Sequence, residues 1–585
     1  MKSKVLVLIG LVTIAAVLLF GLGFAPKAAQ DGTSSGAGVI ALHGEGTGAA
    51  AARMVNMEEL PELAPYKGHY REIPDHPEPG EGGEFEQGGP VAGYQAGEPS
   101  PMSVEVETET PGTSTAFQGQ GEAACGNWIP SDHALATNSS YVVQVLNSCL
   151  VVYNTAGKML SGYPKNLNGF WNVSDSHIVG DVRCLYDWKS SRFILVAEDF
   201  TGNKILLADS FNSNPTGTWW LYSIDATLGG VVPGSADFPM LGQTYQESGD
   251  GNGGIYLSWD RFDSSGNFHD NVIMILPKSK IYAGSSYAYQ YWYGLTANGN
   301  LVDHVQPAAV MSRADRPQAE FLVNTFDFNR SGCASNGTSC NGLVLWAISN
   351  GVPPKGQGST LSLAVIKTAH NYVYPVSAAQ PGSPSGSTCA INTSNNGVGS
   401  TVYWSAGDLY LAASTGSLNG QKSDGWIYWQ VHPYLTQNSK GVPVLASTAA
   451  TIRDEVCWGC SGFTGDKTYS EYYPSVQPDD EGNITVVFNE SSSTRYPLTA
   501  YLSKRTTQTN GSFPDGGWNL AGGLASYCQL DTYGRNRWGD YTATAPVGTQ
   551  NATTPTFWFA GQYSDSKGNW ATEIGKNAYT SMNQN

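Results

Sequence analysis

Ile255-Tyr-Leu-Ser-Trp259, then Asp263-Ser-Ser-Gly266, then Val272-Ile-Met-Ile275, spell two strand-length runs and the turn between them. Two short runs of apolar, aromatic and β-branched residues flank a turn whose Asp can bond its own backbone and whose Gly tolerates positive φ. Such a unit is an antiparallel hairpin, and it recurs along the chain. Tyr141 to Val145 precedes Leu150 to Tyr153, which ends in Asn154-Thr-Ala-Gly157, and Phe193 to Ala197 precedes Lys204 to Ala208. Further on, Phe321 to Val323 goes with Leu343 to Ile348, and Leu409 to Ala413 with Trp426 to Val431. Ile484 to Phe488 and Thr556 to Ala560 complete the series. No segment sustains a helical period, so the array is all-β.

Each hairpin follows a more polar strand that opens with acidic, His, Arg or Tyr residues. The openers are Ser131-Asp132-His133, Gly180-Asp181-Val182-Arg183, Asp237-Phe238-Pro239 and Asp303-His304. A looser one lies near Asn395 to Gly399, then come Tyr472-Tyr473-Pro474 and Trp538-Gly539-Asp540-Tyr541. Seven units of four strands, closed in a ring, remove the exposed sheet edges that invite aggregation. The reading is a single seven-bladed β-propeller over residues 125–585, with a Gly/Pro/Ser-rich insertion around Gly351 to Ser387. Six blades are the near alternative and a pair of β-sandwiches the distant one.

The 585 residues carry 49 acidic and 31 basic side chains, a formal charge of −18. A nucleic-acid binder would need a basic stripe to neutralise phosphates, so that class is excluded. Met1-Lys-Ser-Lys4 followed by an apolar run from Val5 to Phe24 is an export signal, or a retained anchor, within residues 1–29. Either places the rest outside the cytoplasm, secreted or at the cell surface, with the N-terminal segment as its one membrane contact. Residues 30–124 shift to Gly, Pro, Glu, Ala and Ser, and from Glu58 to Glu109 hold 13 acidic residues against Lys67 and Arg71. That composition buries too little apolar surface to offset ordering entropy, and reads as a disordered acidic linker, a stalk or a pro-segment. Nine cysteines fit an oxidising compartment, and their odd number leaves one unpaired or pairs it between chains. Cys333 with Cys340, and Cys457 with Cys460, read as local loop disulfides.

Asn214-Pro-Thr-Gly217-Thr-Trp219 and Asp565-Ser-Lys-Gly568-Asn-Trp570 share the pattern Asx-x-x-Gly-x-Trp. The pattern resembles a loosened form of the Asp-box of sialidase-like propellers, in which the step from Asp to Gly is one residue shorter. Tyr141-Val-Val-Gln144, Leu185-Tyr-Asp187, Tyr473-Pro-Ser-Val476 and Arg537-Trp-Gly-Asp-Tyr541 likewise resemble segments of secreted bacterial β-propeller proteins. The resemblance covers about residues 130–578. It implies an exported propeller in which the boxes staple structure, and it implies no single activity.

In a propeller the innermost strands line a central funnel. Asp132, His133, Asp181, Arg183, Asp237, Asp303, His304, Tyr473, Arg537 and Asp540 then converge from separate blades. Such a ring can bind a ligand, supply a general acid and base if burial pushes the pKa values apart, or offer oxygens to Ca²⁺. The oxygen-rich loops Glu247 to Asn252 and Asp479 to Asn483 also have Ca²⁺-like composition, though hairpin turns explain both. Trp219-Trp220, Trp292 with Tyr291 and Tyr293, and Trp426 with Trp429 are candidate sugar-stacking platforms. No zinc-protease, nucleophile-elbow, Walker or dinucleotide motif is present. The leading expectation is a propeller that binds an extracellular glycan or protein partner through the funnel face. A carbohydrate-active enzyme, hydrolase or lyase, is the alternative, and a structural matrix or filament subunit the third.

Overall fold

A computed structural model of the chain describes residues 40–50, 53–76, 110–230, 234–245, 253–311, 316–326, 340–350, 359–393, 397–417, 423–460, 469–513, 517–546 and 556–579. Their strands form seven antiparallel blades, numbered here in chain order. Blade 1 is His133–Thr137, Tyr141–Leu146, Cys149–Asn154 and Lys165–Asn166. Blade 2 begins with Val179–Asp187, blade 3 with Ser235–Gln243, blade 4 with Gln306–Val310 and blade 5 with Val402–Ser405. Blade 6 begins with Tyr469–Pro478, and blade 7 with Ala543–Pro546. These innermost strands run side by side around the axis. Ala309 pairs in parallel with Gln243 on one side and Tyr403 on the other, and the inner strand of blade 7 packs on that of blade 1. The seven-blade count holds. All the hairpin runs read from sequence fall inside strands of these blades.

The N-terminal stretch behaves differently from a free linker where it is described. Thr115–Gly121 is the outer strand of blade 7, paired to Trp570–Ala578, so the two ends of the propeller close the ring together. Arg53–Asn56 adds a fifth strand to blade 2, and Leu42–Gly48 a fifth to blade 3. The second pairing has a steric cause. Gly44, Gly46 and Gly48 face Tyr291, Tyr289 and Tyr287 in register, and a Cβ at Gly44 would sit 2.2 Å from the Tyr291 ring. Every second residue lacks a side chain where every second partner carries a large ring, so the backbones pair with the rings lying over the glycines. Residues 1–39, with the export segment, and 77–109 lie outside the described residues. Among the described residues no helix is long and apolar enough to cross a membrane.

Within the stretch read as an insertion, Thr360–Tyr372 is instead the outer strand of blade 4. Leu361, Leu363 and Val365 pack into one core cluster and Ala364 and Ile366, on the other face, into the next, which outweighs the Gly/Pro-rich flank. Both Asx-x-x-Gly-x-Trp boxes are turns closed as expected. Asn214 and Asp565 each accept the N–H two residues on, and the buried Trp219 and Trp570 indoles donate to Pro215 O and Trp128 O. Cys125–Cys149, Cys389–Cys528 and Cys457–Cys460 are disulfides, and Cys184 is free and buried. Cys340 is also disulfide-bonded, while Cys333 lies outside the described residues.

Candidate functional site

The openers are a structural repeat. In blades 2, 3 and 6 one extra residue is inserted as the inner strand begins, between Gly180 and Arg183, Asp237 and Met240, and Tyr472 and Ser475. The inserted residues Asp181, Phe238 and Tyr473 have φ of 50°, 56° and 56°, and His304, two residues before the inner strand of blade 4, has 48°. Left-handed backbone at a bulky residue costs energy unless its surroundings hold it, and such positions concentrate at functional sites. The three bulges place Asp181, Phe238 and Tyr473, all buried, at the same end of the inner strands, the mouth of the ring.

A hydrogen-bonded network ties these openers across blades. Asp132 accepts from the Asp540 N–H at 2.7 Å and from Asn147 Nδ2 at 2.9 Å, and Asn147 Oδ1 accepts from the Asp181 N–H at 2.8 Å. The Arg183 guanidinium lies 3.6 Å from the Tyr541 ring centroid and 5.2 Å from that of Phe238, against which the His304 ring packs edge-on. Arg183 Nη1 donates to Val182 O, while Nε and Nη2 are buried with no partner among the described residues. Burial, reinforced by neighbouring carboxylates, pushes the Asp132, Asp181 and Glu198 acids well above the usual carboxylate range. His304 Nδ1 lies 3.4 Å from Asp260, whose acid burial raises to about 7, with Asp303 at 3.8 Å on the other side.

Not every expected residue joins this cluster. His133 turns between blades 1 and 7 to Ala560 O, and burial lowers its pKa to about 4, so its ring is neutral. Tyr473 donates to Asn392 O, and its own carbonyl accepts from Thr542 Oγ1. Trp219, Trp292, Trp426 and Trp429 are fully buried and Tyr291 nearly so, so these rings pack and offer no sugar platform, while Trp220 and Tyr293 are half-buried. Among the described residues no three His, Cys, Asp or Glu side chains are grouped to hold a metal ion. Asp479 closes a hairpin turn by accepting the Glu481 and Asn483 N–H groups, and the loop 246–252 lies outside the described residues.

Two features add to the expected residues. The loop before blade 7 carries Arg535, which the sequence did not single out, beside the expected Arg537. Cys389–Cys528 staples it to the loop before blade 5, and Asn392 N–H donates to Asn536 O. Arg535 pairs with Asp531 at 2.7 Å and Arg537 with Asp540 at 2.7 Å. Tyr533, 57% exposed, and Tyr70, 41% exposed, stand at the rim; Tyr70 donates to Leu530 O. The second feature is residues 71–76, which run across the mouth. Ile73 N–H donates to Ile129 O beside blade 1, the Ile73 side chain lies against Gly180 of blade 2, Asp75 meets Arg535 and Arg537, and His76 reaches Asp237 of blade 3. Along the axis, side chains leave cavities of about 10 and 20 Å³, room for a water molecule at most. A separate open groove of about 730 Å³ lies between the outer strands of blades 4 and 5, lined by Lys367, His370, Arg453 and Glu455.

No sequence family model matches the chain, and no curated protein matches it. Solved structures do, at fold level. The extracellular domains 1–2 of Drosophila Semaphorin 1b share 9% identity over 80% of this chain and 88% of that one, with a TM-score of 0.32. An ulvan lyase bound to a GlcA–Rha3S unit shares 10% over 80% and 95%, with a TM-score of 0.33. A subtype N11 neuraminidase-like protein shares 9% over 76% and 97%, with a TM-score of 0.29. At these identities the likeness carries no activity to this chain.

Proposed function

We propose that the chain is an exported propeller, secreted or held at the cell surface, that binds a glycan or protein partner at its funnel mouth. The observation that supports this reading is the repeated left-handed backbone at one end of the inner strands, where Asp181, Phe238 and His304 gather around Arg183, with Arg535 and Arg537 on the loop before blade 7. With the axis filled, a ligand meets the face and does not enter a channel. Disulfides and a hydrophobic N-terminal run fit an oxidising, extracytoplasmic location. Exposed Tyr533 and Tyr70 supply flat apolar surfaces with polar tips, suited to a sugar ring.

A carbohydrate-active enzyme is the second reading, favoured by one observation. Burial beside other carboxylates pushes the Asp132 and Asp181 acids well above the usual carboxylate range, the direction that suits a proton donor. Turnover lost in Asp181→Ala or His304→Ala proteins that still bind would favour it over binding alone.

The test is retention of the full chain on immobilised neutral, uronic and sialylated polysaccharides, with hydrogen–deuterium exchange on the retained complex. Protection of residues 179–183, 235–240 and 533–541 is the expected result. Protection confined to the groove around His370 and Glu455 would overturn the mouth as the binding face.

A further inference from the structure

Residues 71–76 divide into two halves held in different ways. The first half is fixed by backbone: Arg71 and Glu72 pair in parallel with Trp128 and Ile129, and Ile73 N–H donates to Ile129 O at 2.8 Å. Glu72 also accepts from the Thr532 N–H and hydroxyl. The second half, after Pro74, is held mainly by side chains. Asp75 Oδ2 lies 2.6 Å from Arg535 Nη2 and is also bonded by Arg537 Nη1. His76 N–H donates to Asp237 Oδ2 at 3.0 Å, its Nδ1 lies 3.1 Å from the same oxygen, and its Nε2 is 2.7 Å from Ser235 Oγ. Its ring stacks on Phe262 at 4.4 Å.

The Arg535 and Arg537 side chains are 4% and 6% exposed, so the two guanidiniums form a built site, not a loose surface pair. Each already has its own carboxylate partner, Asp531 or Asp540. Asp75 is therefore a third carboxylate, sharing one oxygen between two forks whose planar donors match carboxylate geometry. It stands where an acidic ligand would place the same group, with the open Tyr533 ring 5.2 Å from the Arg535 guanidinium.

Resting on the mouth as the binding face, we infer that Asp75 is an internal stand-in for the ligand, tethered by the pairing of His76 with Asp237: its carboxylate occupies a site that takes the uronate groups of an acidic polysaccharide, and binding requires Asp75 to leave the two guanidiniums. The backbone-paired half would stay as the hinge anchor. Apparent affinity is then reduced by the fraction of molecules with the segment closed, so releasing it raises affinity with no new contact.

The experiment compares the full chain with Asp75→Asn, and with Asp75→Asn combined with Arg535→Gln and Arg537→Gln, for binding to polygalacturonate, dextran and poly-glutamate. Thermal melting of each variant is recorded alongside. Asp75→Asn is expected to bind polygalacturonate about tenfold more tightly or better, to leave dextran unchanged, and to lose the gain when both Arg are replaced. Equal binding of polygalacturonate by wild type and Asp75→Asn would overturn the inference, as would a gain that survives loss of the Arg pair. A gain with poly-glutamate alone would overturn the polysaccharide class in favour of an acidic protein. A peptide of residues 70–76 should compete for polygalacturonate on the Asp75→Asn protein, and the same peptide carrying Asp75→Asn should not, which keeps the inference testable if the variant is less stable. Mouth protection in hydrogen exchange with no change on Asp75→Asn would sink this inference and leave the binding face standing. Protection elsewhere sinks the binding face itself.

Discussion

Replacing Glu122 by Gln should make the protein more stable at pH 8 than at pH 5, relative to wild type. Glu122 is 3% exposed and follows the strand that closes blade 7. Its Oε2 accepts from Gln529 Nε2 at 2.9 Å and from the Trp570 N–H at 3.2 Å. Gln529 O in turn accepts from the Arg537 N–H, so this carboxyl supports the loop that carries the paired arginines. Burial raises its pKa from 4.5 to about 7, the two hydrogen bonds opposing the rise. The folded state thus prefers the protonated acid, while the unfolded chain ionises near 4.5. Stability from this group is full below that pH, falls as pH climbs to about 7, and is flat above. At ~1.4 kcal/mol per pH unit the whole interval is worth about 3 kcal/mol, and about 2 after local relaxation and water access. Gln keeps an acceptor for both donors and carries no proton to lose. The assay is urea unfolding of both proteins at pH 5, 6, 7 and 8. The stability difference should lie near zero at pH 5 and grow by about 2 kcal/mol in favour of the Gln protein by pH 8. A difference that is flat with pH, or that grows in favour of wild type, would refute the assignment of a protonated buried acid.

Deleting residues 115–121 removes the outer strand of blade 7 and exposes the edge Trp570–Ala578; the product should elute as aggregates or unfold well below wild type in calorimetry. Replacing Cys389 and Cys528 by Ser unlinks the two mouth loops across 139 residues of sequence separation. That should cost about 2–4 kcal/mol and speed proteolysis within residues 376–393 and 522–541 before any blade is cut. Trp219→Ala should cost about 3–5 kcal/mol, because its fully buried indole packs on Phe170 and Phe193. Tyr533→Ala, at a ring 57% exposed, should shift stability by under about 0.5 kcal/mol yet weaken retention on the polysaccharide that the wild type binds.

What the sequence determined by itself is local. A hairpin needs only two strand-length runs and a turn that closes them, all within about twenty residues, so the Asp263–Gly266 turn and its relatives announced the blades. Counting polar openers before those hairpins yielded the seven inner strands, and the Asx-x-x-Gly-x-Trp turns formed as their chemistry requires. Cys457 and Cys460, three residues apart, were likewise legible as one disulfide. Tertiary structure alone decided the rest. The bulges that place Asp181, Phe238 and Tyr473 at the mouth depend on pairing with the next strand. The closing strand Thr115–Gly121 and its partner lie about 450 residues apart, and neither the composition nor the charge of residues 30–124 announces it. The Gly44–Gly48 alternation answers the Tyr287–Tyr291 alternation only once the two strands stand side by side. Arg535 and Asp75, separated by 460 positions, become a site only because ring closure brings the first segment of the chain over the last blade. Contacts of that length are set by where the folded edges need a partner, which no short window of residues encodes.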